Sequence, residues 1–422
     1  MQKLTTDRGA VLRVMERTLA ALEQHTAGTG AKVAEAGPGE AAELARQLRQ
    51  ALEWARTEEP AYMAATDELE ELRPGGEYIS HHPVIALTQT AMEQFGDEAP
   101  GSPGPEAADA VPVNLVADKL RVREQGPPPF REHASLDDFR FALGANDTVV
   151  LVGDFGTAKP PAIRVAQAIR EVNPDHVIHL GDIYPSGTPE LARRHFIDVW
   201  REHGPPKPKT KFWALNGNHE MAAQGTGYFG EVLEFCEQPA SYFSLQNEHW
   251  KLIGLDTAYE EHDLHQPQKT WLHARLAEGE SRNILLTHHQ MFSAVDGRPH
   301  DNRDRLFASM QEFVGTDRIF GWFWGHEHRF LSYAREPQFG NYLARAIGHG
   351  GKEIKHVTGV HRFPGEAPRV LRYWEVRRDE DRAQCLNGFA TLRFDGPQVM
   401  ISYADETGFE WNTEIWPDDP HA

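Results

Sequence analysis

The chain has 422 residues, 40% of them hydrophobic and 25% charged, with a net charge of −20. This is ordinary globular composition, long enough for two or three domains, and its negative surface disfavours binding along a nucleic acid backbone. No apolar run approaches the ~18–20 residues of a membrane span, the opening Met1-Gln2-Lys3-Leu4 has no signal-like apolar stretch, and Cys236 and Cys385 make no disulfide framework, so a reduced cytoplasm is the expected setting.

Residues from about 8 to 95 read as helical. Val11, Met15, Leu19 and Leu22 recur at helical spacing, as do Leu44, Leu48, Leu52 and Ala55, with turn chemistry at Thr26–Gly30 and Ala36–Gly39 between them. A third helix is expected around Tyr62–Leu72 and a fourth around Pro83–Phe95. His81 and His82 are read as exposed or loop histidines. Residues 1–95 are taken as an accessory helical domain that serves as a cap, a homo-oligomer contact or a dock for a protein partner. Residues 96–145 form a linker and extended connection, centred on Pro100-Gly101-Ser102-Pro103-Gly104-Pro105 and followed by Gly126-Pro127-Pro128-Pro129.

From 146 to 422 the pattern becomes α/β. Val149–Val152 leads into Gly153-Asp154-Phe155-Gly156, His176–Leu180 into Gly181-Asp182, and Phe212–Leu215 into Asn216-Gly217-Asn218-His219-Glu220. Further on, Ile284–Thr287 leads into His288-His289 and Ile319–Trp324 into Gly325-His326-Glu327-His328. Five apolar strands thus each finish in Asp, Asn or His, and ligands of open α/β sheets gather at such carboxyl ends. Helical segments alternate with these strands and predict a largely parallel sheet. Tyr242–Leu245 and Trp250–Leu255 read as a hairpin. Strands within 370–416, two of them joined by Asp395-Gly396-Pro397, are expected to finish a second, mixed sheet packed on the first.

The strand ends offer a divalent ion what it needs: oxygen and imidazole ligands on rigid elements. Asp154, Asp182, Asn218, His288, His326 and His328 supply three of each. On an extended strand end His326 and His328 face one way, and a carboxylate such as Asp182 can bridge two ions ~3.5–4 Å apart. His176 and His179 are read as packed or surface residues, Trp322 and Trp324 as core, and Glu327 as pointing away from its two histidine neighbours.

The order Gly153-Asp154-x-Gly156, Gly181-Asp182, Gly217-Asn218-His219-Glu220, His288-His289 and Gly325-His326-x-His328 resembles the calcineurin-like metallophosphoesterases. Asp154-Phe155-Gly156 is closer to their purple acid phosphatase-like branch than to members with His two residues after the first Asp. The resemblance spans about residues 147–350. It implies a four-layer αββα sandwich, two mixed β-sheets flanked by helices, with the C-terminal strands completing it.

It also implies two divalent or mixed-valence ions (Mn, Fe, Zn or Mg, with Mn favoured). Asp154, Asp182 and His328 would hold the first, and Asp182, Asn218, His288 and His326 the second. A hydroxide bridging them would attack a phosphomonoester or small phosphodiester in line, and His219 would bind phosphate or protonate the leaving oxygen, oriented by Glu220 or another carboxylate. The branch places a Tyr ligand three residues after the second Asp, where this chain has Pro185; Tyr184 either reaches the first metal from one residue earlier or packs in its loop. His289, Arg329, Arg303 and His349 are candidate substrate contacts, His349 from a flexible glycine loop at Ile347–Lys352 closing over the substrate. The rival expectation is a non-catalytic scaffold of the same fold that binds protein partners through the N-terminal helices.

Overall fold

The computed structural model describes residues 7–29, 37–65, 78–98, 108, 110–295, 303–352, 354–355, 367–374, 376 and 384–417. Two β-sheets stack face to face. One has six strands in the order β16 (Glu410–Trp416), β15 (Gln398–Asp405), β14 (Gly388–Asp395), β2 (Thr148–Val152), β3 (His176–His179) and β4 (Lys211–Ala214). The other has eight: β1 (Arg140–Ala142), β5 (Phe243–Gln246), β6 (Trp250–Gly254), β7 (Arg282–Thr287), β8 (Ile319–Trp324), β10 (Leu343–Ile347), β9 (Phe330–Tyr333) and β12 (Val370–Trp374). A short pair, β11 (Ile354–Lys355) with β13 (Gln384–Cys385), stands apart.

The layers follow from strand alternation. Val149 and Leu151 of β2 enter a core between the sheets, with Ile178, Leu252, Ile284, Leu286 and Phe323. Val150 and Val152 face the other way, onto the helices Pro160–Val172 and Asp198–His203. On the far side Leu285, Trp322 and Trp324 pack against the helices Gln266–Ala277 and Arg303–Val314. The result is a helix–sheet–sheet–helix sandwich. Arg345 of β10 and Glu414 of β16 join the two sheets through a buried bidentate ion pair, with Nε–Oε1 at 3.0 Å and Nη2–Oε2 at 2.5 Å.

The strand distribution differs from the sequence reading in one respect. The five functional strands do not share a sheet: β2, β3 and β4 run parallel in the six-stranded sheet, β7 and β8 parallel in the eight-stranded one. β14 and β15 extend the sheet of β2, while β12 joins the other. Alternating apolar runs reveal strands, but partner choice depends on non-local packing.

The N-terminal helices Arg8–Thr26, Pro38–Thr57, Glu59–Ala65 and Pro83–Glu98 share an apolar core. The Asp7 side chain caps the first of them by accepting the Ala10 N–H at 2.7 Å. The helix Val113–Arg121, within the stretch expected to be extended, contributes Val116, Ala117 and Leu120 to the same core. Most of the Pro/Gly-rich linker and the second half of the expected third helix lie outside the described residues.

Candidate metal centre

β2, β3, β4, β7 and β8 end at one edge of the sandwich, and the turns beyond them carry the functional side chains. Asp154 (φ 57), Asp182 (φ 80) and His326 (φ 62) adopt the left-handed region that side chains rarely occupy. Such backbone costs about 1–3 kcal/mol per residue and persists where surrounding bonds fix it. Here Asp154 N donates to Gly181 O at 3.0 Å, and His326 N to Asp154 Oδ2 at 2.8 Å. Asp182 N donates to both Glu220 carboxylate oxygens at 3.1 Å, and His219 N to Asp182 Oδ1 at 3.1 Å. Gly217 is obligatory: a Cβ there would collide with Asp182 Oδ1 and approach Glu220 Oε2 to 2.8 Å.

Two groups of ligand-type side chains form, sharing Asp182. Asp154, Asp182 and His328 make one; Asp182, His288 and His326 make the other, with the atoms of each group within 4.8 Å of one another. Asn218 Oδ1 completes the second, 2.9 Å from His288 Nε2 and 3.0 Å from His326 Nδ1. Tyr184 reaches the first: its hydroxyl lies 2.8 Å from Asp154 Oδ1, 3.1 Å from Asp182 Oδ2 and 2.9 Å from His328 Nε2.

Hydrogen bonding sets the tautomers. The Leu180 carbonyl can only accept, so His288 Nδ1 at 2.9 Å carries a proton and donates. That leaves the Nε2 lone pair facing Asn218 Oδ1 and, at 3.3 Å, Asp182 Oδ1. A bare nitrogen turned toward oxygens, with its other nitrogen anchored on a carbonyl, suits a cation ligand. Burial, and then the neighbouring histidines, push the His326 and His289 rings well below the usual imidazole range, and burial lowers His219 to about 4. Neutral imidazole is the ligating form. Burial alone would raise the Asp182 carboxyl, but positive charge at the position of His288 and His219, with the His219 N–H that it accepts, brings it below the ordinary range. The donor set therefore fits two cations.

Expectations change at Glu220 and at the Ile347–Lys352 loop. Glu220 does not orient His219; His219 Nδ1 donates to the Pro185 carbonyl at 2.7 Å, and burial, with the Asp182 charge, raises the Glu220 carboxyl well above its usual range. The Ile347–Lys352 stretch is not a free flap, because Gly350 N and Lys352 N bind Gly153 O and Asp154 O, each at 2.8 Å. His349 is fully buried, with its ring 6.0 Å from that of Phe330. His289 is also buried, its Nδ1 3.0 Å from Thr257 O and its ring 4.8 Å from His326. Arg329 is half buried on the loop beyond His328, and the Arg303 side chain lies outside what is described. Glu327 turns away, accepting from Ser293 and Trp324. His176 is packed between Asp147 and Trp213, and His179 is buried against Phe196.

Three residues escape a reading limited to the five strand ends. His262 lies 3.8 Å ring to ring from His289 and forms a ligand-type group with it and His326. The run Leu252-Ile253-Gly254-Leu255-Asp256, a sixth apolar strand ending in an acid, could have pointed to that loop. Lys352 Nζ lies 5.9 Å above the Tyr184 ring. His81, from the helical region, stands 5.4 Å from the His219 ring and 6.1 Å from those of His326 and His328.

Residues 147–330 match the model of the calcineurin-like phosphoesterase family. This segment is a calcineurin-like phosphoesterase domain. Solved structures similar to the chain include GAP50, the anchor in the inner membrane complex of Plasmodium, at 12% identity, covering 64% of this chain and 88% of that one with a TM-score of 0.46. Another is YfcE, a phosphoesterase from E. coli, at 12% identity, 63% and 98% coverage and a TM-score of 0.28. A predicted phosphoesterase from Streptococcus pneumoniae gives 11% identity, 65% and 99% coverage and a TM-score of 0.30. No curated protein matches the sequence. Among the described residues no helix is long and apolar enough to cross a membrane.

Proposed function

We propose that the chain is a two-metal phosphoesterase acting on phosphomonoesters or small phosphodiesters. The observation that carries this reading is the pair of ligand groups sharing the buried Asp182 carboxylate. Asp154, Asp182, His328 and Tyr184 would hold one ion; Asp182, Asn218, His288 and His326 the other. Bound there, divalent ions supply Lewis acidity toward phosphoryl oxygens and an activated water. Mn²⁺ is the favoured ion, since the set is rich in oxygen and has Gly156 where other members carry a histidine two residues after the first Asp.

The chain's own residues do the rest. Asp182, fixed by Glu220 and by the His219 N–H, holds the two sites at constant separation. With Nδ1 tied to the Pro185 carbonyl, His219 has its buried Nε2 without a hydrogen-bond partner among the described residues. Protonated at that nitrogen, which the charge of a bound phosphoryl group favours, His219 would bind a phosphoryl oxygen or carry a proton to the leaving oxygen. Arg329 and His289 are further candidates for substrate contact. No covalent intermediate is required.

The test is elemental analysis of chelator-free protein, with hydrolysis of p-nitrophenyl phosphate and bis-p-nitrophenyl phosphate under added Mn²⁺, Mg²⁺, Zn²⁺ or Fe²⁺. About two ions per chain and turnover abolished in Asn218→Ala or His326→Ala are expected. No metal and no turnover with any ion would overturn the reading and leave the scaffold alternative.

A further inference from the structure

His81 and His82 stand side by side ahead of the Pro83–Glu98 helix and do different work. The His82 ring lies 5.0 Å from the Trp54 ring, and its Nδ1 accepts the Val84 N–H at 3.3 Å, so it caps the helix inside the helical layer. The segment before it is clamped. Gln89 Oε1 accepts the Ser80 N–H at 3.1 Å, while Gln89 Nε2 donates to the Tyr78 carbonyl at 2.8 Å. Ser80 Oγ accepts the His82 N–H at 3.1 Å. The Tyr78 hydroxyl donates to buried Glu59, which also pairs with Arg8 at 2.8 Å.

This framework turns His81 the other way, out of the helical layer and onto the phosphoesterase domain. Its ring is nearly parallel to that of His328, at 15° and 6.1 Å, and faces His219 at 5.4 Å. Side-chain bonds also seat the helix itself: Thr90 Oγ1 and Ser186 Oγ are 2.6 Å apart, and Glu93 Oε1 is 2.8 Å from His195 Nε2. His81 therefore sits beside the metal centre, on a support built from residues 8, 59, 78, 80 and 89.

Resting on the phosphoesterase reading, we infer that His81 is a substrate-binding residue of the active site, which donates a hydrogen bond to a phosphoryl oxygen of the bound ester alongside His219. The helical region is then part of the active site, and the ester it admits is small enough to fit beneath the Tyr78–His82 segment. A hydrogen bond to a charged group sets the size of the effect: its loss weakens binding by about tenfold to a hundredfold.

The experiment uses the full chain loaded with Mn²⁺, as wild type, His81→Ala and the shape-keeping His81→Gln. Inorganic phosphate is the probe, competing with p-nitrophenyl phosphate, and metal content and melting temperature are measured alongside. The expected result is unchanged metal content in both variants and phosphate inhibition weaker by about tenfold to a hundredfold in His81→Ala. kcat/KM falls by a similar factor and is partly restored by added imidazole. Phosphate inhibition and kcat/KM within about twofold of wild type in both variants would overturn the inference while leaving an active wild type, and with it the phosphoesterase reading, intact. Loss of metal in both variants would also overturn it, since His81 would then support the metal centre. A wild type without metal or turnover would take down both.

Discussion

Replacing Tyr184 by Phe separates the two roles that the chain's sequence leaves open for this residue. The ring is fully buried, and its hydroxyl has Asp154 Oδ1, Asp182 Oδ2 and His328 Nε2 within 3.1 Å. Burial, and then the two carboxylates, push the phenol well above its usual range, so without a cation it is a neutral donor. A single hydroxyl proton serves one carboxylate, and that bond is worth about 1.5–3 kcal/mol. The metal-free Phe variant should be destabilised by that amount, since Phe fills the same space. Metal retention is the deciding quantity. If Tyr184 is a ligand, one of the two ions should bind at least ~10–100-fold more weakly, the loss typical even of a supporting partner. The assay is metal content after dialysis against graded chelator, with thermal melting of the metal-free form in parallel. Two ions held at wild-type affinity in Tyr184→Phe would refute the ligand role and leave only the hydrogen bond.

Asp182→Asn should lose both ions while Asn218→Ala loses one, read as ions per chain by elemental analysis, because Asp182 belongs to both ligand groups and Asn218 to one. Glu414→Gln should destabilise the fold by about 3–5 kcal/mol in thermal melts, the cost of leaving the buried Arg345 charge unpaired. Burial alone would raise the Glu414 carboxyl, but the Arg345 guanidinium outweighs it and holds the group below its usual range. A carboxylate lowered on folding stabilises fully above the unfolded value of about 4.3 and loses that contribution as pH falls through the lowered folded value. The melting difference between wild type and Glu414→Gln should therefore be full at pH 6 and shrink below about pH 4.

The candidate ligand set was legible because each member sits one to four residues beyond an apolar strand, where side-chain chemistry is decoupled from core packing. Asp154, Asp182, Asn218, His288, His326 and His328 all belong to that class, and the structure brings them together. Residues positioned by tertiary packing were not legible. His81 precedes a helix whose sequence pattern reports only its own buried face, and nothing local says that this end points at the edge of a sheet. The loop around His349 misleads for the opposite reason. Its glycine-rich neighbours suggest a mobile loop, yet those glycines are needed because the segment lies against the Asp154 turn; a Cβ on Gly348 would come within 2.7 Å of Asp154 Oδ2. The division of strands between two sheets was hidden as well, because β2 and β7 carry the same kind of apolar run and differ only in their distant partners.

The Pro83–Glu98 helix links two parts of the centre that are remote in sequence. At its start the preceding segment presents His81. Along its length Glu93 binds His195 at 2.8 Å and Arg194 at 3.2 Å, and His195 Nδ1 reaches the Tyr184 carbonyl at 2.8 Å. One rigid element thus fixes a side chain beside the site and, through one histidine, the loop that carries Tyr184, Pro185 and the backbone support of His219. Glu93→Ala should loosen both ends of this linkage while leaving every ligand-type side chain in place. Loss of a charge-assisted bond of about 1.5–3 kcal/mol should raise amide exchange at Tyr184 and Ser186 by about ten- to a hundredfold, if those amides open locally. Phosphate inhibition should weaken in step, because the His81 side and the His219 side are then no longer held in register. Faster exchange at Tyr184 and Ser186 with unchanged phosphate inhibition would mean that the helix steadies the loop without tuning the site. Unchanged exchange would mean that the Thr90–Ser186 contact alone seats the loop and that the Glu93–His195 bond carries no coupling.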